Sequence, residues 1–334
     1  MTKLSILDIV PVPEGATPGE ALRNSLTLAQ AAERLGYERY WIAEHHNMIG
    51  AAGAATGTVI GFIAAHTSTI RVGAGGIMLP NHAPLMVAEQ FGTLECLYPG
   101  RIDLGLGRAP GTDQFTARAL RRDGARAQEF PQEVMELRRY FGEVIPEQVV
   151  QAVPGGGLDL PMWVLGSSES GAAAAASLGL PFAFASHFAP SALLEAIAAY
   201  RANFVASPQL DGPYVMLGVN VVVAESQREA ERLFTTIQRR FVNVVRGDPR
   251  KLPPPVDDLA DYSTAKEQAQ VASMLRYSFV GTPDVVRQGL DGFIDMTKAD
   301  ELIVSATLFD PAARQRSYEL LAEIWSEKRV TATI

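Results

Sequence analysis

A single cysteine, Cys96, stands among 334 residues. No intramolecular disulfide can form and no thiolate cluster can hold a metal, which fits a reducing compartment. Positive charge is also short: 29 lysines and arginines face 37 aspartates and glutamates, for a net charge of −8. Such a field repels nucleic acid and anionic membrane surfaces, so neither is an expected partner. Long apolar runs are missing too. The N-terminal run is broken by Asp8 and Pro11 and is too short for a signal peptide. The blandest stretch, Gly50 to Ala65, carries four glycines and makes a poor membrane span. A soluble cytoplasmic protein is the expectation. The familiar histidine and cysteine ligand spacings are absent, so no metal is expected.

What is present is a large apolar content, 47% of residues against 20% charged, enough for a sizeable core. Apolar strand-like runs alternate with helical patterns from end to end. The strands read as 4–10, 38–42, 70–74, 102–106, 161–165, 181–185, 214–224 and 301–305. The helices read as 18–36, 54–66, 84–97, 130–141, 170–178, 191–205, 228–245 and 312–327. Steady strand–helix alternation implies a parallel sheet, and eight units suggest closure into a (β/α)8 TIM barrel. Extra material falls around Arg108–Pro131, after the fourth strand, and around Gly247–Lys266, before the eighth. No linker or composition break divides residues 1–334, so one domain is expected. An open, doubly wound sheet is the alternative.

In such a barrel the chemistry sits where strands end. Glu44-His45-His46 follows the second strand, Gly73–Gly76 the third, Gly107-Arg108 the fourth, Gly166-Ser167-Ser168 the fifth and Ser186-His187 the sixth. Neighbours in an extended segment point to opposite sides, so His45 and His46 are poorly placed to share a metal. Imidazole titrates near neutrality and suits proton exchange; the alternative is one loop-capping and one packed histidine. The run from Gly105 to Gly111 is not a dinucleotide fingerprint, because its third glycine comes one residue late and Pro110 intervenes. Arg108 is a fixed cation suited to bidentate phosphate contact. The helix that opens after Gly166 offers free N–H groups to an anion, with Ser167 and Ser170 as hydroxyl donors. Plain N-capping by serine accounts for that motif equally.

Three segments together carry a resemblance: "GYERYWIAEHHN" (36–47), the run from Val72 to Gly111 containing "VGAGGIMLPNHAPL", and "WVLGSSESGAAAAASLGLPFAFASHF" (163–188). Over nearly its full length the chain resembles the bacterial luciferase-like flavin monooxygenase family, and within it the single-gene bacterial members more than the light-emitting enzymes. The resemblance implies a (β/α)8 barrel that uses reduced FMN, supplied by a separate reductase, and O2 to form a flavin hydroperoxide that attacks a small, largely apolar organic substrate. It implies His45 as the catalytic residue beside the flavin ring. It places a non-prolyl cis peptide at Gly75-Gly76 under that ring. Arg108, Gly166, Ser167 and Ser170 match the phosphate-binding positions, and a homodimer is expected. One departure stands out. Gly107 occupies the place of the luciferases' reactive cysteine, so light-emitting aldehyde oxidation is not expected. The phosphate site also follows the fifth strand, where barrels more often use the seventh and eighth.

Two other readings fit the same residues: a deazaflavin-dependent dehydrogenase and a flavin-binding protein without turnover. The segment from Arg246 to Gln268, with three consecutive prolines, is expected to form a lid over the barrel mouth, and the Arg108–Pro131 insertion is the second candidate.

Overall fold

Parallel hydrogen bonding runs the whole way round the sheet in the computed structural model, which describes residues 2–108, 114–121 and 128–331. The strands are β1 (Lys3–Asp8), β2 (Arg39–Ile42), β3 (Arg71–Met78), β4 (Ile102–Gly107), β5 (Met162–Gly166), β6 (Phe182–Phe184), β7 (Val215–Val223), β8 (Ser278–Gly281) and β9 (Glu301–Ser305). Pairing proceeds from β1 through β2, β3, β4, β5 and β6 to β7. It returns through β9 to β1, so eight strands close a (β/α)8 barrel.

The remaining strand, β8, lies outside that ring. β6 pairs with Val215–Leu217 of β7, and β8 takes over the same edge at Asn220–Val223. The barrel's eighth strand is therefore β9, the segment expected from the sequence, while β8 extends the sheet past the rim. Two helices, α9 (Ala265–Met274) and α10 (Pro283–Thr297), lie between the expected 247–266 insertion and the last strand, in residues to which the sequence reading assigned no element. Each has local cause. Thr264 and Glu267 form a reciprocal capping box for α9, and Pro283 opens α10.

The other helices are α1 (Pro18–Arg34), α2 (Thr56–Ala64), α3 (Pro84–Leu97), α4 (Gln114–Ala119), α5 (Phe130–Phe141), α6 (Glu169–Leu178), α7 (Leu193–Ala202), α8 (Gln227–Val245) and α11 (Pro311–Thr331). Helix α1 shows how the sequence specifies them. Thr17 caps it with Glu20 reaching back, Pro18 sits in the first turn, and Ala21, Ser25, Leu28 and Ala32 form the buried stripe.

Strand residues alternate between the helices and the barrel interior, except where β3 shifts register between Ala74 and Ile77. Tyr40, Ile42, Val72, Leu104, Val164 and Phe182 belong to the outer core. Inside, the floor is polar: Arg39 donates to Asp103 and Glu301, and Arg71 to Asp103. Burial opposes the Arg39 charge, but its two carboxylate partners outweigh that cost and hold it firmly protonated. Above this floor Leu7, Trp41, Trp163, Ala183, Met216 and Ile303 form an apolar plug. The interior is thus filled below and opens only toward the C-terminal ends of the strands.

The expected lid is not one. Leu252 is 2% exposed and bridges to Pro13, with backbone hydrogen bonds to Val12 and Glu14. Arg239 of α8 donates to the Pro254 carbonyl, and the Val256 N–H to Thr235. The segment straps α8 to the loop after β1, and its stiff prolines suit that brace. The other candidate, the Arg108–Pro131 insertion, lies partly outside the described residues.

Candidate functional site

A cavity of about 370 Å³ occupies the C-terminal mouth of the barrel. Its walls come from the strand ends and from α8 and α9. Inward-facing positions supply Ile9, Trp41, Ala43, His45, Gly75 and Gly107, continuing the alternation of the strands below. Parity therefore decides the histidine pair. His45 continues the inward series from Arg39, Trp41 and Ala43, and His46 turns the other way.

His45 reaches the cavity with its Nδ1 buried and without a hydrogen-bond partner. Burial lowers its pKa to about 4, helped by the charge of Arg240. His187, after β6, repeats the pattern. Its Nδ1 is also buried and unpartnered, and burial with Arg240 lowers its pKa to about 3. Both rings are neutral at physiological pH, and the Nδ1 of His187 packs against Gly218.

His46 has a different task. Its Nε2 lies 2.8 Å from Glu44 Oε1, and His82 Nε2 lies 2.9 Å from the same oxygen. The Met78 N–H donates to Glu44 Oε2 at 3.2 Å. Burial pushes the Glu44 carboxyl up, and these hydrogen bonds, led by His82, bring it below its ordinary value. The network ties the end of β2 to the end of β3 and so fixes the backbone from which His45 projects. One acid and two histidines at this spacing can also hold a cation; here the direct hydrogen bonds already engage both carboxylate oxygens.

The Gly75-Gly76 peptide is cis, at the point where the β3–β4 register shifts. Gly75 forms part of the cavity wall, whereas Gly76 does not. Neither position has room for a side chain. A Cβ at Gly75 would sit 2.6 Å from Leu7 Cδ1, and one at Gly76 would sit 2.7 Å from the Gly105 carbonyl oxygen. At Gly107 the space a side chain would claim holds the end of Met78.

From β4 onward, Arg108, Gly166, Ser167 and Ser168 line the cavity beside the N-terminus of α6. Ser168 is the N-cap, its hydroxyl accepting from the Gly171 N–H. Ser170 does not reach the cavity; its hydroxyl lies 3.0 Å from that of Ser168. The reason is one of phase: Ser167 is still in the inward strand register, while Ser170 has entered the helix. Of the residues nominated from the sequence, His45, Gly75, Arg108, Gly166 and Ser167 share the cavity, and Gly76 and Ser170 stand behind it. Arg108 has no hydrogen-bond or ion-pair partner among the described residues.

Sequence reasoning missed Asn220 and Arg240, which also line the cavity, and named Ser168 and His187 only as members of strand-end clusters. Asn220 is anchored from behind by donating to the His187 carbonyl and to Ser278 of β8. A signal for Arg240 did exist. It interrupts the apolar series Ile237, Phe241, Val244 on one face of α8.

Comparison with known proteins agrees with this architecture. The family model described as "Luciferase-like monooxygenase" matches residues 2–300. The Escherichia coli (strain K12) protein named "Luciferase-like monooxygenase" is 50% identical over 324 residues, covering 97% of this chain and 97% of its own. N-acetyl-S-alkylcysteine monooxygenase of Bacillus subtilis (strain 168) is 31% identical, covering 97% of this chain and 98% of its own. The crystal structure of apo-MsnO8 superposes with a TM-score of 0.86 at 40% identity, covering 98% of this chain and 99% of that one. With a match along nearly its whole length and relatives at this identity, the chain belongs to the luciferase-like monooxygenase family and is an oxidoreductase.

Proposed function

We propose that the protein is an FMN-dependent monooxygenase that inserts one oxygen atom of O2 into a small organic substrate with a largely apolar body. The observation that carries this reading is the cavity's mixed chemistry. It offers an unpaired guanidinium, Arg108, beside serine hydroxyls and the N-terminus of α6, a set suited to a phosphate. The same cavity is lined by the neutral imidazoles of His45 and His187. Gly75 also lines the cavity, at a point where a Cβ would collide with Leu7 and Trp41, so the wall there is bare backbone. These features fit FMN, with its phosphate at Arg108 and its ring against Gly75.

Reduced FMN would supply the electrons that send one oxygen atom to the substrate and the other to water. The residues of the chain do the rest. Arg108, Ser167 and Ser168 bind and orient. Gly75 and Gly76 let the backbone approach closely. Trp41, Phe184, Phe241 and Met274 keep water out. Neutral His45 holds or delivers a proton through its free Nδ1. The reduced cofactor would come from a separate reductase. The whole chain, residues 1–334, would act as one domain, as a homodimer in the cytoplasm.

The test is to supply reduced FMN and isotope-labelled dioxygen with a panel of small apolar compounds and to read products by mass spectrometry. One labelled oxygen atom per product molecule is expected. Oxidation of a substrate by a deazaflavin without O2 would instead favour the dehydrogenase reading.

A further inference from the structure

Helix α8 turns the face Ile237, Arg240, Phe241 and Val244 toward the cavity. Ile237 and Phe241 are buried, Val244 is half-exposed, and Arg240 is a partly exposed cation set into this apolar face. Arg239, one residue earlier, shows how this helix treats an ordinary arginine. It donates to the Pro254 carbonyl and lies over the Tyr262 ring, with Cζ at 4.3 Å from the centroid.

Arg240 has nothing comparable. Among the described residues no acid pairs with it and no acceptor takes its N–H groups. Its Cζ is 5.6 Å from the Phe241 centroid, a modest cation–π contact. The acid in the cavity wall, Glu44, is already engaged by His46, His82 and the Met78 N–H. The titratable groups facing Arg240 are His45 and His187, whose buried Nδ1 atoms lack partners. Arg240 is partly exposed at the cavity wall, and its guanidinium stands among apolar side chains and neutral imidazoles without a counter-charge. Its N–H groups are therefore open to an acidic group on a molecule that enters the cavity.

That counter-charge is not the cofactor's phosphate, because Arg108 and the start of α6 already form a phosphate set on other elements, β4 and β5. We propose that Arg240 determines specificity by clamping a carboxylate on the organic substrate, whose apolar body lies among Phe188, Phe241, Val244 and Met274. The planar fork of arginine suits a carboxylate bidentately. This inference rests on the monooxygenase reading for what happens to the bound molecule, but not for the binding itself.

The test is calorimetric titration of the FMN-loaded protein with octanoate and phenylacetate, and with their neutral amides. Each acid should bind at least about tenfold tighter than its amide, a margin typical of a charge-assisted bidentate contact. Arg240→Met should bring the acids down to the affinity of the amides while leaving amide and FMN affinities unchanged. Arg240→Lys, which keeps the charge but loses the fork, should retain part of the preference. Equal binding of acid and amide by the unaltered protein, or failure of both acids to bind, would overturn the proposal. A fall in FMN affinity in Arg240→Met matching that of the acids would also overturn it, by assigning Arg240 to the cofactor. If FMN itself does not bind, the cofactor reading fails separately, and the acid–amide comparison on the protein alone still decides Arg240.

Discussion

His45 and His46 are adjacent, yet the structure gives them unrelated work. His45 faces the cavity with a free nitrogen, and His46 spends its Nε2 on Glu44. His45→Ala should therefore retain FMN while losing coupled oxygenation by about 10²–10⁴-fold, the usual worth of a positioned acid–base group. Hydrogen peroxide should rise as product falls, and an unchanged ratio of product to peroxide would remove His45 from the chemistry. His46→Ala should instead lower unfolding free energy by about 1.5 kcal/mol or more, the loss of a hydrogen bond to a buried carboxylate, as read by urea denaturation.

The two cavity imidazoles also set an acid limit. Their ordinary pKa of 6.5 falls to about 4 in His45 and about 3 in His187, because burial and Arg240 disfavour the charged form. The unfolded chain takes up these protons as pH drops below 6.5, and the folded one resists until about 4 and about 3. Their contribution to stability is thus complete above pH 6.5 and is lost as pH falls through the folded values. Thermal midpoints measured from neutrality downward should decline, and the decline should be shallower in a His45→Gln, His187→Gln double variant. Equal slopes would show that other groups set the acid limit.

At the scale of elements, the sequence was most legible where one rule acts alone. Strand parity placed His45 inward, and strand ends marked most of the cavity wall. The N-terminus of α6 could be read as an anion site from Gly166-Ser167-Ser168, but the phase change from strand to helix, which turns Ser170 away, could not. The strand β8 escaped because its four residues pair with only part of β7 and are half-exposed, leaving little hydrophobic pattern. The segment 246–268 misled for a related reason. Its length and prolines read as a stiffened lid, whereas Leu252 carries the burial and the backbone bridges to the loop after β1, a long-range pairing no local pattern encodes. Leu252→Ala should accordingly cost about 2–5 kcal/mol, as for other fully buried leucines. FMN affinity should stay the same, since no residue of 246–268 lines the cavity. Loss of cofactor binding without loss of stability would return this segment to the mouth.

For the whole molecule, the alternation of apolar runs identified the barrel because closure satisfies every strand edge except those that β8 extends. It could not say which long-range contacts load the cavity. Arg240 lies on α8, far in sequence from His45, and only the closed ring brings the two together. No helix among the described residues is long and apolar enough to cross a membrane. The account as a whole depends on where the cofactor's phosphate sits. FMN and riboflavin differ only in that phosphate, so calorimetric titration of both, with the unaltered protein and with Arg108→Ala, tests it most directly. FMN should bind the unaltered protein more tightly than riboflavin, and Arg108→Ala should remove about 1.5–3 kcal/mol of that advantage while leaving riboflavin unaffected. Equal affinities for FMN and riboflavin, or an Arg108→Ala variant that keeps the full preference, would contradict the account.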